Sequence, residues 1–267
     1  MHHHPSSISL ADFLPFLLIL LIGLGYTILY FKEHWQKKKT KRRQLCFFLI
    51  GILLLLIGIH PKMAHLGHQD LRVHMIQHLL IAMYAPIFLV MGAPINALLK
   101  ALPTGIARQV SRWFNSTFIQ ILTHPFCTLA INIGGMFAIY LTPLFEKSMH
   151  QATLHTLVHI HFILAGFLFT WSIIGQDVNM HKTNFKTRLI ALFIAIAAHA
   201  YLSKYMYAHL LPQVDFYTSL QKQEAAKLMY YWGDLSEMII MVILFAEWYR
   251  STKRSRLNME TAPPIVE

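Results

Sequence analysis

Charge is scarce in this chain, and negative charge scarcest: of 267 residues only 12 are Asp or Glu, and all charged types together make 13%. Soluble domains carry about 25% charged residues, so an ordinary water-facing surface is excluded. Cysteine is nearly absent too. Cys46 and Cys127 stand far apart with no CxxC, which excludes a disulfide framework or a thiolate metal cluster and leaves them as small packing residues. There is no Gly-rich phosphate loop, no HExxH, no GxSxG elbow and no internal repeat. No hydrolytic enzyme is indicated, and the reading is of a protein that is not an enzyme.

What the chain has instead is apolar surface, at 55% hydrophobic residues and a mean hydropathy of +0.46. It comes in runs. A helix needs about 20 residues to cross the hydrocarbon core, and seven runs approach that length: Leu10–Phe31, Leu45–His60, Val73–Gly92, Phe118–Leu141, Leu154–Ile174, Leu189–Ala208 and Tyr230–Trp248. The expected fold is therefore an all-α integral membrane protein. Residues 1–256 form one domain of seven transmembrane helices, and 257–267 form a disordered cytoplasmic tail ending in TAPPIVE.

Basic residues set the expected orientation. Lys32–Arg43 holds seven of them, Ala93–Ser116 adds Lys100, Arg108 and Arg112, Gly175–Arg188 adds Lys182, Lys186 and Arg188, and the tail adds Arg250, Lys253, Arg254 and Arg256. The alternate connections hold only Lys62, Arg72, Lys147, Lys204, Lys222 and Lys227. Positive charge stays inside, so the N-terminus is expected outside and the C-terminus in the cytoplasm. Cytoplasmic loops facing anionic lipid account for the net charge of +11 without nucleic acid. The basic cluster follows the first run rather than preceding it, so that run reads as a retained span and not a cleaved signal. The leading His2–His4 are read as irrelevant to any buried site.

Two strings stand out on this frame: HMIQH at His74–His78 and HTLVH at His155–His159. Four residues apart on a helix is one face and about 6 Å of rise. An imidazole in a bilayer is costly and marks function by default. In the expected topology both pairs sit in the outer third, with His60 ending the second span, His65, His68 and Asp70 in the loop after it, and Asp234 and Glu237 opening the seventh. Lone interfacial histidines often bond only a carbonyl, and for His60, His65 and His68 that alternative stays open beside a functional one. His78 and His159 lie deeper, each with a partner one turn away.

Neutral imidazole binds copper, zinc, iron and nickel, and thioether selects Cu(I). Met75 adjoins His74. The carboxylates could orient imidazole N–H groups. The candidate metal residues are thus His74, His78, His155, His159, Asp234, Glu237, His60 and Met75, with one carboxylate expected within a hydrogen bond or one bridging water of a paired histidine. Copper fits best, zinc next, haem third.

The stretch HMIQHLLIAMYAPIFLVMGAPINALLKALP (residues 74–103) resembles the HM-x-QHLLL…AP…GxP…LLxALP block of the multi-spanning CtaG family of cytochrome c oxidase assembly factors. HPF at His124–Phe126, YLTPLFE at Tyr140–Glu146, LHTLVHIHFILAGFLF at Leu154–Phe169 and GQD at Gly175–Asp177 are similar to later family segments, in order. The chain departs at Val178, where the family often has proline, at Glu237, in lacking Gln beside Asp234, and in its loop histidines.

The resemblance covers about residues 45–250. It implies a bacterial inner-membrane protein that helps copper reach a haem–copper oxidase subunit from a donor outside the membrane. His74, His78, His155 and His159 match the family's paired histidines, and Asp234 an acidic position opening the last span. Two other readings stay open. One is a haem-binding electron carrier or quinone oxidoreductase with His78 and His159 as axial ligands. The other is a metal or proton transporter.

Overall fold

The computed structural model describes residues 13–35, 42–175 and 183–260, with side chains for all but 33–35 and 254–260. Regular structure among the described residues is entirely helical. In chain order it comprises α1 (Leu14–Trp35), α2 (Arg42–Gly58), α3 (Pro61–Gln69), α4 (Leu71–His78), a π-helical segment (Leu79–Tyr84), α5 (Ala85–Met91) and α6 (Pro94–Ala101). Then come α7 (Thr104–Phe114), α8 (Thr117–Leu122), α9 (Pro125–Leu141), α10 (Leu144–His150), α11 (Ala152–Ile174), α12 (Phe185–His209) and α13 (Ser219–Glu260). Among the described residues, five helices are long and apolar enough to cross a membrane, or up to seven if the bent pairs α2–α3 and α9–α10 each count as one span.

Polarity is inverted relative to a soluble protein. Leu17, Leu18 and Leu21 of α1, Phe193 and Ile194 of α12, and Val242 of α13 face outward, whereas His74, Gln77, His78, His199, Ser203, Ser236 and Glu237 are buried. Lipid solvates leucine and not imidazole, so the polar residues turn toward other helices.

Breaks fall where the backbone chemistry demands them. His60 caps α3, its Nδ1 accepting from Lys62 N–H at 3.2 Å, and Pro61 follows at the first turn, where a missing N–H costs nothing. Asp70 is extended and caps α4, its carboxylate accepting from Arg72 N–H at 2.9 Å. The Arg72 guanidinium bridges Asp70 and Glu224, joining the start of α4 to α13 and holding the Asp70 carboxyl below the usual carboxylate range. The sequence reading of one span over 118–141 is corrected here. Pro125 pushes His124 into an extended conformation and ends α8 before α9 begins. At the far end Thr142 is extended, and α10 departs from α9 at 77°.

The last helix is also longer than the apolar run. Thr218 and Gln221 form a reciprocal cap, Gln221 N–H donating to Thr218 Oγ1 at 3.2 Å and Thr218 N–H donating to Gln221 Oε1 at 3.0 Å. This T-x-x-Q box starts α13 at Ser219, eleven residues before Tyr230. The helix continues through Glu260, so it takes in the first four tail residues. The basic positions 37–41, Gln176–Val178, His2–His4 and 261–267 lie outside the described residues.

The π segment follows directly from Pro86. Proline lacks an N–H and its ring collides with the carbonyl four residues back, that of Ala82. Widening the turn over Leu79–Tyr84 accommodates this, and Tyr84 Oη donates to Trp232 O at 2.9 Å, tying the segment to α13. On its other side Gly166 of α11 lies so close that a Cβ there would stand 2.0 Å from Ala82 O. α11 can approach only because residue 166 has no side chain.

Candidate metal site

α4, α10 and α11 build the histidine site. The extended Asp70 aims α4 so that His74 and His78 face inward, at 9% and 2% exposure. α11 carries His155 and His159 one turn apart, with ring centroids at 4.2 Å. His74 lies 6.3 Å from His155 and 6.3 Å from His159, centroid to centroid. His74, His78, His155 and His159 line one cavity of about 10 Å³, walled by Ile139, Phe145, Ser148, Val158 and Phe162. That is the scale of one water or one ion. Imidazoles sharing an ion at metal–nitrogen distances near 2.0–2.1 Å have ring centres roughly 5–6 Å apart; His155 and His159 stand closer than that and His74 slightly farther from both, so taking up a shared ion requires small side-chain rotations.

The wall explains the YLTPLFE segment. The 77° turn after α9 brings Phe145 beside His74, ring centroids 5.1 Å apart. Phe145 is parallel to Tyr140 at 5.8 Å, and Tyr140 sits edge-on to His78 at 6.0 Å. Phe162 closes on His78 at 4.5 Å. The imidazoles are held by aromatic edges, and buried His78 Nε2 has no hydrogen-bond partner.

His68, which the sequence reading put in the outer loop but not among the metal candidates, joins them. His68 of α3 lies 5.1 Å from His155, and α3 is anchored by Tyr217 Oη, which donates to Gly67 O at 2.6 Å. The break at Asp70 removes any helical register between His68 and His74, so spacing gave no signal.

Other candidates go elsewhere. His60 uses Nδ1 on the α3 cap and packs edge-on against Phe13 and Phe16. Met75 is fully buried in the apolar core and does not line the cavity. Its neighbour His74 faces inward, so Met75, about 100° round the helix, cannot share that face.

Asp234 and Glu237, expected beside the paired histidines, gather on His199 instead, with Oδ1 and Oε2 each 3.9 Å from Nδ1. α13 packs lengthwise on α12, so its acidic face meets that helix. Lys204, a possible alternative partner, lies over the Tyr230 ring at 5.1 Å. Free Cys46 and Cys127 line no part of the cavity.

Fold and site together define a class: a polytopic helical membrane protein with an imidazole-lined cavity of ionic size between its spans. The family model for the cytochrome c oxidase caa3 assembly factor, Caa3_CtaG, matches residues 24–251, and the chain belongs to that family. An uncharacterized protein of Mycobacterium leprae is 25% identical over 253 residues, covering 88% of this chain and 38% of its own length. Uncharacterized proteins of Mycobacterium bovis and Mycobacterium tuberculosis are each 27% identical over 189 residues, 68% of this chain and 29% of theirs. The chain spans less than two fifths of these relatives. No solved structure matches it.

Proposed function

We propose that this protein handles copper during maturation of a haem–copper oxidase, taking the ion from a donor outside the membrane and holding it among His74, His78, His155 and His159. The observation that carries this is the convergence of both histidine pairs, from separate helices, on one ion-sized cavity. Neutral imidazoles are ligands for copper and zinc. Membership of an oxidase assembly family favours copper as cargo and an oxidase subunit as acceptor. A cavity of about 10 Å³ favours an ion over haem. The role is carriage rather than catalysis.

The orientation belongs to the same proposal. Basic residues crowd the connections opposite the histidine end, which supports an orientation with His74 and His155 near the outer face of a bacterial inner membrane, the N-terminus outside and the C-terminus in the cytoplasm. His68, at the end of α3, then stands where an incoming ion first meets the site.

Deleting the gene from its host and complementing with a copy fused at the C-terminus to green fluorescent protein tests both parts. Loss of assembled oxidase that excess copper partly restores, with a fluorescent cytoplasmic fusion, is the expected result. Full oxidase maturation in the deletion strain under copper limitation, or a dark exported fusion, would overturn the reading.

A further inference from the structure

The histidine cavity leaves a second polar cluster unexplained. His199 sits midway along α12 at 0% exposure, and Glu237 on α13 at 3%. His199, Asp234 and Glu237 each offer a donor atom, and these lie within 4.8 Å of one another. The His199 Nδ1–carboxylate separations of 3.9 Å exceed hydrogen-bond range. Both His199 ring nitrogens, Asp234 Oδ1 and Glu237 Oε2 are buried without a hydrogen-bond partner.

A histidine kept only for packing spends at least one nitrogen on a neighbour, because a buried polar group left unpaired is costly. Here three such atoms, His199 Nδ1, Asp234 Oδ1 and Glu237 Oε2, gather at one place, and His199 Nε2 is unpartnered as well. The backbone is shaped to allow it: Gly233 lies against His199, and a Cβ at 233 would stand 2.0 Å from Cε1. Nearby cations are committed elsewhere, Lys204 over Tyr230 and Lys227 over the Tyr207 ring at 5.5 Å.

We infer that His199, Asp234 and Glu237 form a second cation site, separate from the histidine cavity and taking a divalent first-row ion such as Zn²⁺. One imidazole and two carboxylates make a nitrogen–oxygen donor set with no sulfur, which suits divalent zinc, manganese or iron better than Cu(I). A dication offsets the two carboxylates, whose charges the apolar interior would otherwise have to bear together. The site stabilises the α12–α13 pair, and α13 also holds the π segment through Trp232 O.

The test uses the full chain in detergent, purified without a metal-affinity column and stripped with chelator. A His74→Ala/His159→Ala background disables the cavity, so the outcome is independent of the copper proposal. On adding Zn²⁺ back, that protein should take up one tightly bound ion, measured by competition with a chromophoric chelator, and X-ray absorption should report a single imidazole among oxygen ligands. Adding Glu237→Gln or the near-isosteric Asp234→Asn should weaken zinc at least about tenfold. Should Glu237→Gln fail to fold, Asp234→Asn, at the partly exposed edge of the cluster, decides alone. No zinc bound by the background protein, or zinc affinity untouched by Asp234→Asn, would overturn the inference.

Discussion

Protein carrying both His78→Ala and His159→Ala is expected to reach the membrane at normal levels, bind copper at least about 10- to 100-fold more weakly than the parent, and leave the oxidase immature. Losing even an outer-sphere partner of a metal ligand costs about that much, and these substitutions remove ligands from two helices at once. Folding should survive better than binding. His78 sits among aromatic edges and its Nε2 has no hydrogen bond to lose, while the rings beside His159 are those of His74 and His155. The controls are residues adjacent in sequence but not in the cavity. His60→Ala removes a helix cap, at about 1 kcal/mol, and Met75→Leu swaps one core side chain for another of similar volume; both should keep copper. Copper per chain after removal of free ion, with oxidase spectra in complemented cells, reads the result. Undiminished copper in the double variant would exclude these histidines.

Gly166→Ala should be the most damaging small substitution in the bundle. A methyl at 166 would stand 2.0 Å from the Ala82 carbonyl oxygen, which belongs to backbone and cannot step aside as a side chain can. Either α11 retreats or the π segment distorts. Overpacking of this kind costs about 1–3 kcal/mol, more than alanine's gain of about 1 kcal/mol over glycine within a helix. Because Ala82 is one turn beyond His78, and Gly166 two turns beyond His159, the displacement should also weaken copper. Gly134→Ala is the internal control: nothing lies within 4 Å of a Cβ there, so it should be neutral or slightly stabilising. Thermal unfolding in detergent compares the two. Equal stability of both variants would mean that α11 does not rest on the π segment.

The histidine pairs were legible in the sequence because helix periodicity is local. His74 with His78 and His155 with His159 fall on one face at any helix orientation, and their apolar surroundings made burial predictable. Convergence of the two pairs depends on how helices pack, which periodicity does not carry; the cost of turning an imidazole to lipid supplied that expectation. His68 was obscured by the break at Asp70, and His199 because its partners lie on another helix. Asp234 and Glu237 were recognised as a buried acidic pair but assigned the wrong neighbour, since three-residue spacing fixes a face and not what it meets. The apolar-run criterion gave α11 and α12 to within a few residues. It failed at α13, where polar but helix-favouring QKQEAAK precedes the membrane stretch; the T-x-x-Q box at Thr218–Gln221 was readable and marks the true start.

The account rests on several imidazoles from two helices sharing one copper ion. Copper-edge X-ray absorption on the untagged, copper-loaded full chain addresses it most directly, since outer-shell scattering from imidazole rings counts histidine ligands. Three or four imidazoles per copper, falling by two in the His78→Ala/His159→Ala protein, is the predicted result. A copper shell of sulfur or oxygen without imidazole, unchanged by those substitutions, would contradict it.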